Sequence, residues 1–208
     1  DAATQRGIMV TNTPGVLTET TADLTFALLL GAARRIPEAD QYTRAGKFKN
    51  WQLMQAHMGV DVYEKTLGIV GMGAIGQAVA KRAKKGFDMR IVYYSSSRKE
   101  SAEKEYEAEF VEFDELVVTS DFISIHVPLT EKTTHMFSTP EFKKMKPTAI
   151  LINTARGPGV DESALAEAIK DVKKGSVPII VKADSLKTSQ RYIFIKEGKA
   201  YRIVFDGK

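Results

Sequence analysis

Three glycines at a fixed spacing are the residues of this sequence that most clearly indicate chemistry. Gly71, Gly73 and Gly76 directly follow an apolar run at 67–70. In such a motif the first glycine permits a tight turn, the second lets the backbone approach a pyrophosphate, and the third lets a helix pack closely against a strand. The start of the helix then offers free N–H groups to the phosphates. The spacing predicts a loop that binds a nicotinamide dinucleotide, with glycines needed only for packing as the alternative.

The segment after the second predicted strand bears on which dinucleotide is bound. An acidic residue about 20 residues beyond the glycines usually marks NAD(H), because it accepts a hydrogen bond from the ribose 2′-hydroxyl. The sequence has none there and carries three serines and two cations instead: Ser95, Ser96, Ser97, Arg98 and Lys99. Hydroxyls and cations suit a 2′-phosphate through charge-assisted hydrogen bonds. We therefore expect NADP(H) to be favoured, with NAD(H), or an ordinary polar loop, as the alternative.

Arg156 follows another apolar run, at 149–153. Ligands of open parallel sheets bind beyond the carboxyl ends of the strands, so we expect Arg156 near the nicotinamide. A guanidinium there can hold a substrate carboxylate and polarise the adjacent carbonyl; a surface ion pair is the alternative. The histidines, which usually supply the proton in carbonyl reduction, are His57, His126 and His135, and none is an obvious acid. His126 is expected to be a packed residue within a strand.

The elements that must position these residues alternate along the chain. Strands are predicted at 67–70, 89–94, 109–111, 121–127 and 149–153, and helices at 74–85, 101–106, 114–119, 140–145 and 161–174. This alternation predicts an α/β fold with a doubly wound, Rossmann-like parallel sheet. Before it we expect a short strand at 7–12, one helix from 18 to 45 bent at Pro37, and an irregular arm at 47–63. After it we expect a strand at 177–181 and a hairpin of strands 192–195 and 201–205, with Gly198 in the turn.

Composition excludes several classes of function. The 208 residues include no cysteine, so disulfides, thiolate metal sites and cysteine nucleophiles are absent, which suits a reducing cytoplasm. The net charge of +4 comes from scattered lysines without a recognition motif, so we expect no nucleic-acid partner. The longest apolar run, 24–33, is too short to span a bilayer. We therefore expect a cytoplasmic protein without a metal site.

Four segments in this order resemble the D-isomer-specific 2-hydroxyacid dehydrogenases, and in particular their glyoxylate/hydroxypyruvate reductase branch: 10–15, 71–76, 126–130 and 153–158. The resemblance runs to about residue 174. It implies hydride transfer to a small 2-oxo acid, with Arg156 as the catalytic residue that orients the substrate. It also implies a homodimer formed partly by the first long helix and the arm around Trp51. The predicted cofactor-binding residues are Gly71, Met72, Gly73, Ala74, Ile75, Gly76, Ser95, Ser96, Ser97, Arg98, Val127, Pro128, Thr154, Ala155 and Arg156.

Departures from the family pattern limit these expectations. The family carries a substrate domain before this region and a glutamate and then a histidine after the arginine. No histidine follows Arg156, 184–186 offers no matching glutamate, and Gly159 replaces a bulky apolar residue. We therefore expect a dinucleotide-binding domain at 1–175, an atypical strand and hairpin at 176–208 packed on it, and impaired catalysis. The alternatives are a non-catalytic sensor or corepressor-like module, an engineered or recombined domain, and an enzyme that uses His126 or His135 as the acid.

Overall fold

A central sheet runs through the part of the chain that the computed structural model describes, residues 1–54, 57–170, 180–182, 192–197 and 199–204. Its strands are β1 (Thr66–Val70), β2 (Arg90–Tyr94), β3 (Glu109–Phe110), β4 (Phe122–Ile125), β5 (Ile150–Asn153), β6 (Ile180–Lys182), β7 (Tyr192–Glu197) and β8 (Lys199–Val204). They lie in the order β3-β2-β1-β4-β5-β6-β7-β8. Pairing is parallel from β3 to β6 and antiparallel from β6 to β8. The predicted α/β fold and its terminal hairpin are confirmed; Gly198 and Phe205 lie outside the described residues.

Helices precede the sheet and connect its parallel strands. They are α1 (Ala2–Gln5), α2 (Thr18–Ala33), α3 (Ile36–Arg44), α4 (Ala74–Phe87), α5 (Glu100–Tyr106), α6 (Phe113–Thr119), α7 (Thr139–Lys144) and α8 (Glu162–Lys170), with a 3-10 turn at Gly157–Gly159. One helix, from α4 to α8, lies between each pair of successive strands from β1 to β6, because parallel strands need such crossovers. The predicted order of the helices from α4 to α8 is confirmed, and positions 171–174 of the last one lie outside the described residues.

Both faces of the sheet are covered by apolar side chains. Along β2, Ile91 and Tyr93 join a core that also contains residues of α2 and α4, such as Leu29 and Val79. Val92, between them, joins the core on the opposite face, with residues of α6 and α8. Successive side chains of a strand point to opposite faces, so a sheet packed on both sides needs continuous apolar strands. This explains why β1, β2, β4 and β5 are nearly unbroken apolar runs in the sequence.

The N-terminal part differs from two of the sequence expectations. The strand predicted at 7–12 is absent: this segment has no partner strand, and Met9 is 87% exposed. An unpaired strand has no partner for its backbone hydrogen bonds. The single helix predicted from 18 to 45 is two helices, because the chain breaks at Arg35, where φ is +52°. Pro37 therefore lies in the first turn of α3, where no N–H is needed, instead of bending a longer helix.

The arm at 47–63 contains no helix or strand among its described residues, as predicted. Within the ranges that the structure describes, no helix is long and apolar enough to cross a membrane.

Candidate functional site

The carboxyl ends of four parallel strands lie side by side at one edge of the sheet. Val70, the last residue of β1, is level with Tyr94 of β2 and Ile125 of β4. Ile125 is in turn level with Asn153 of β5. The segments that follow these strands therefore emerge together, and they contain all the predicted site residues: 71–76, 95–98, 126–128 and 154–156. The order reverses between β1 and β4, and this topological switch point is where open α/β sheets bind ligands.

Two of the three glycines between β1 and α4 are explained by sterics within the protein. Gly71 has a φ of +99°, and a Cβ added there would lie 2.8 Å from the carbonyl oxygen of His126. A Cβ added at Gly76 would collide with the carbonyl oxygen of Gly71. The Gly71 N–H also donates to the carbonyl of Tyr94 at 2.8 Å, which ties the turn to β2. These positions fix the close packing of the turn.

Gly73 has a different environment, because nothing in the described protein occupies the space beside it. A Cβ added there would meet no atom within 4 Å. Gly73 is the N-cap of α4, and no side chain caps this helix end. The first N–H groups of a helix have no acceptor within the helix, and they carry its positive partial charge. The open space and the uncapped helix start therefore fit a pyrophosphate held by Gly73, Ala74 and Ile75.

Met72, one of the predicted cofactor contacts, is a buried core residue. Its side chain is fully buried in the core, so it cannot reach a ligand at this edge. Its carbonyl accepts a hydrogen bond from Gln77 Nε2 at 3.3 Å. No part of Met72 is exposed at this edge, so its contact with a bound molecule stays a prediction.

The segment after β2 presents its polar side chains on the surface. Ser96, Ser97 and Arg98 are exposed, and Ser95 is half-buried. Lys99 Nζ donates to Ser97 Oγ at 2.9 Å, so one of the two predicted cations already lies beside a predicted serine. This cluster of hydroxyls and cations follows the strand next to the glycine turn.

Arg98 is paired with a carboxylate that was not identified from the sequence. Its Nε donates to the two carboxylate oxygens of Glu103 at 2.8 and 3.0 Å. Hydrogen bonds from Arg98 and from the Tyr93 hydroxyl lower the pKa of Glu103, so this carboxylate is charged at neutral pH. The signal in the sequence was an acidic residue in the first turn of a helix just after a cation, which is common on protein surfaces.

The segment after β4 lies against the glycine turn. A Cβ added at Gly71 would approach Val127 Cγ1 to 2.9 Å. Val127 is half-buried and Pro128 is exposed. The structure therefore brings both predicted residues to the same edge as the glycines.

His126 is held close to the sheet but not within a strand. The expectation that it is a strand residue is wrong, because β4 ends at Ile125. Its backbone N–H still donates to the Val70 carbonyl at 2.7 Å, and its Nε2 pairs with Ser124 Oγ at 2.7 Å. Part of the residue reaches solvent, but burial of the imidazole lowers the pKa of His126 to about 4. The ring is therefore neutral at pH 7.

Asn153 braces the segment after β5. Its Nδ2 donates to the Arg156 carbonyl at 2.8 Å, and its Oδ1 accepts from the Ala155 N–H at 3.0 Å. The Thr154 hydroxyl lies 2.9 Å from that of Thr25, whose own hydroxyl donates to a carbonyl one turn earlier in α2. Asn153 and Thr25 are almost fully buried and were not identified from the sequence, although each is a polar residue in an otherwise apolar run.

Arg156 is exposed at the end of this braced turn. Its Nη1 donates to the adjacent Ala155 carbonyl at 2.9 Å. In the described part of the chain no acidic side chain pairs with it, so the surface ion pair considered as an alternative is not found there.

The other histidines lie elsewhere in the fold. His57 packs edge-on against Tyr42, with 5.3 Å between the ring centroids, and the backbone N–H of His135 donates to the Pro158 carbonyl at 2.7 Å. Among the residues described, no group of three or more histidines and carboxylates is arranged to hold a metal ion.

Comparisons with known proteins identify the family. Residues 26–178 match the family described as "D-isomer specific 2-hydroxyacid dehydrogenase, NAD binding domain". A glyoxylate reductase of Korarchaeum cryptofilum is 60% identical over 170 residues, which are 81% of this chain and 51% of that protein. The TT0316 protein of Thermus thermophilus superposes with a TM-score of 0.75 at 48% identity, covering 82% of this chain and 53% of that one.

A D-lactate dehydrogenase from Aquifex aeolicus, in complex with NAD and lactic acid, has a TM-score of 0.73 at 34% identity and covers 83% of this chain and 50% of its own. The chain thus spans about half the length of the relatives that it matches. Taken with the site at the strand ends, these matches show that the chain belongs to the D-isomer-specific 2-hydroxyacid dehydrogenase family, in its glyoxylate reductase branch.

Proposed function

We propose that this chain is the coenzyme-binding domain of an oxidoreductase that transfers a hydride between a nicotinamide dinucleotide and a small 2-oxo or 2-hydroxy acid. The observation that carries the proposal is the uncapped start of α4, which faces open space at Gly73 beside the topological switch point. The relatives named as glyoxylate reductases support glyoxylate or hydroxypyruvate as the substrate class.

The coenzyme is bound mainly by backbone groups. Gly73 and the first turn of α4 hold the pyrophosphate, while Val127 and Pro128 pack beside it and Thr154 to Arg156 line the nicotinamide end. When bound, the nicotinamide supplies the hydride donor or acceptor. The segment 95–98 receives the adenosine ribose, and its serines and Arg98 favour NADP(H) over NAD(H), since three hydroxyls and a guanidinium match a 2′-phosphate.

Arg156 orients the substrate. Its guanidinium is exposed and has no acidic partner among the described residues, so it is free to take a carboxylate in two parallel hydrogen bonds. Asn153 fixes the backbone from which Arg156 extends, by its hydrogen bonds to the Ala155 N–H and the Arg156 carbonyl. Held there, the guanidinium would also stabilise negative charge that develops on a carbonyl oxygen.

Catalysis by this chain is impaired in this proposal, because the described residues supply no suitable proton donor at the site. His126 follows β4 at the right edge, but burial leaves it neutral at pH 7. A general acid works best with a pKa near the working pH. This observation also favours a second candidate function, a dinucleotide-binding module that performs no turnover.

We further propose a cytoplasmic homodimer with a coenzyme domain at 1–175 and an atypical extension at 176–208, and no partnership with nucleic acid or membranes. Large apolar side chains of the arm and of the segment before α2 support the dimer. They are mostly exposed in the single chain: Val16, Leu17, Trp51, Leu53, Met54 and Met58. Six large apolar side chains exposed within two short segments fit a surface that contacts another protein.

Parallel calorimetric titrations with NADPH and NADH, followed by a glyoxylate reduction assay, test the proposal. We expect both coenzymes to bind, NADPH more tightly, with slow or undetectable turnover. Failure of both coenzymes to bind would overturn the proposal, and binding without any turnover would favour the non-catalytic module. Sedimentation velocity tests the dimer, which a monomer at all concentrations would contradict.

A further inference from the structure

A buried tyrosine and a half-buried glutamate connect Arg98 to the core of the domain. Tyr93, in β2, is fully buried, and its ring packs edge-on against Phe110 with 5.3 Å between centroids. Its hydroxyl donates to Glu103 Oε1 at 2.7 Å and accepts the backbone N–H of Lys99 at 2.7 Å. Burial raises the pKa of Tyr93, so the hydroxyl keeps its proton at neutral pH. One rigid side chain thus fixes both the loop backbone and the Glu103 carboxylate.

Glu103 in turn holds Arg98 by one edge of its guanidinium. Both carboxylate oxygens receive the Nε hydrogen, at 2.8 and 3.0 Å. The Nη1 and Nη2 groups have no hydrogen-bond partner in the described part of the chain, and the Arg98 side chain is 67% exposed. The Glu103 side chain is only 17% exposed, so the anchored partner lies towards the core and the free Nη groups towards solvent.

We propose that Glu103 is a positioning residue that sets coenzyme specificity, by holding Arg98 so that its Nη groups donate to the 2′-phosphate of NADP(H). This rests on the proposed NADP(H) function. An arginine side chain loses much rotamer freedom when it is fixed by a ligand, and an arginine that is already held has less to lose. The carboxylate charge opposes phosphate binding, but it contacts the Nε edge and leaves the Nη groups free.

Positioning of Arg98 and competition with the phosphate predict opposite changes in NADPH affinity when the Glu103 carboxylate is removed. If Glu103 positions Arg98, then Glu103→Ala weakens NADPH binding. If Glu103 mainly competes with the phosphate for the guanidinium, the same substitution strengthens it. NADH lacks the 2′-phosphate, so its affinity reports any general damage to the site.

The test is calorimetric measurement of both dissociation constants for the complete chain and for Arg98→Ala, Glu103→Ala, Glu103→Gln and the double alanine variant. We expect Arg98→Ala to weaken NADPH binding about tenfold and NADH binding less than about twofold. Glu103→Ala should weaken NADPH about fivefold, with NADH again unchanged. Glu103→Gln, which keeps an oxygen acceptor, should lose less. The double variant should lose no more than Arg98→Ala, since Glu103 acts only through Arg98.

Glu105→Ala is the matched control, because it removes the same charge from an exposed position of the same helix. Melting temperatures show whether each variant is folded. Tighter NADPH binding by Glu103→Ala, equal loss of both coenzymes, or full additivity in the double variant would overturn the positioning role alone. An unchanged NADPH/NADH ratio in Arg98→Ala would overturn the NADP(H) preference together with the inference, and absence of all binding would overturn the proposed function itself.

Discussion

The loop after β1 and the loop after β2 lie side by side but are built in different ways. The conformation of the first loop requires glycines. Added Cβ atoms at Gly71 and Gly76 would collide with backbone oxygens, and one at Gly73 would fill open space. The second loop is instead fixed by hydrogen bonds between side chains. Glu103 accepts one from the Tyr93 hydroxyl and one from Arg98. In the proposed function, the first loop therefore binds the pyrophosphate that both coenzymes share, and the second discriminates between the coenzymes.

Gly73→Asp should give the largest effect, because it places a carboxylate where the pyrophosphate is proposed to bind. We expect affinity for NADPH and NADH to fall equally and by at least about 100-fold, since one charge repels and a side chain fills the space. Stability should change little, because a Cβ at Gly73 meets no atom within 4 Å. Calorimetric titration and thermal melting measure the two quantities.

Gly86→Asp is the matched control for this variant. Gly86 is in the same helix, is exposed, and also has no atom within 4 Å of an added Cβ. It should bind both coenzymes normally. Loss of NADPH binding alone in Gly73→Asp would contradict a shared role for the first loop.

Gly76→Ala should damage the fold itself. The new Cβ would collide with the Gly71 carbonyl, which the chain cannot easily move, because the same residue is tied to Tyr94. We expect a loss of about 2 to 3 kcal/mol in the free energy of unfolding, measured by urea denaturation. Gly31→Ala, in α2 with open space beside it, is the control and should be neutral or stabilising. An unchanged midpoint for Gly76→Ala would show that the turn relaxes at little cost.

The first loop depends on residue types and the second on contacts between side chains, and this difference explains how much could be predicted from the sequence. A steric requirement leaves a trace in residue types, so the glycines, the strand before them and the helix after them were all located correctly. The contacts of Glu103 with Arg98 and of Thr25 with Thr154 depend on how loops and distant helices meet, and neither residue type nor spacing encodes that. The segment at 7–12 shows the converse error, because its apolar residues resemble a strand but have no partner.

Burial of His126 beside the first loop should make the stability of the fold depend on pH. Its folded pKa of about 4 lies below the unfolded value of 6.5, so between these values the unfolded chain binds more protons and acid destabilises the fold. Lowering the pH from 7 to 5 should cost about 2 kcal/mol of stability through this residue. In His126→Gln this contribution to the loss of stability should be absent, as measured by the midpoints of urea denaturation at both pH values. Equal losses in both proteins would contradict the burial of the ring.

The smallest expected effect is that of salt on coenzyme affinity. It distinguishes the contributions of the two loops without a mutation. The interaction of the pyrophosphate with the first loop is the same for NADPH and NADH, so its screening cancels in their ratio. In the proposed complex the 2′-phosphate faces exposed Arg98, and screening shortens the range of that attraction from about 10 Å at 0.1 M to about 3 Å at 1 M ionic strength. We expect the NADPH dissociation constant to rise about threefold more than that of NADH across this range, measured by titration in sodium chloride. Arg98→Ala should abolish most of the excess, and parallel salt dependence of the two coenzymes in the unmodified chain would mean that the second loop does not read the 2′-phosphate by charge.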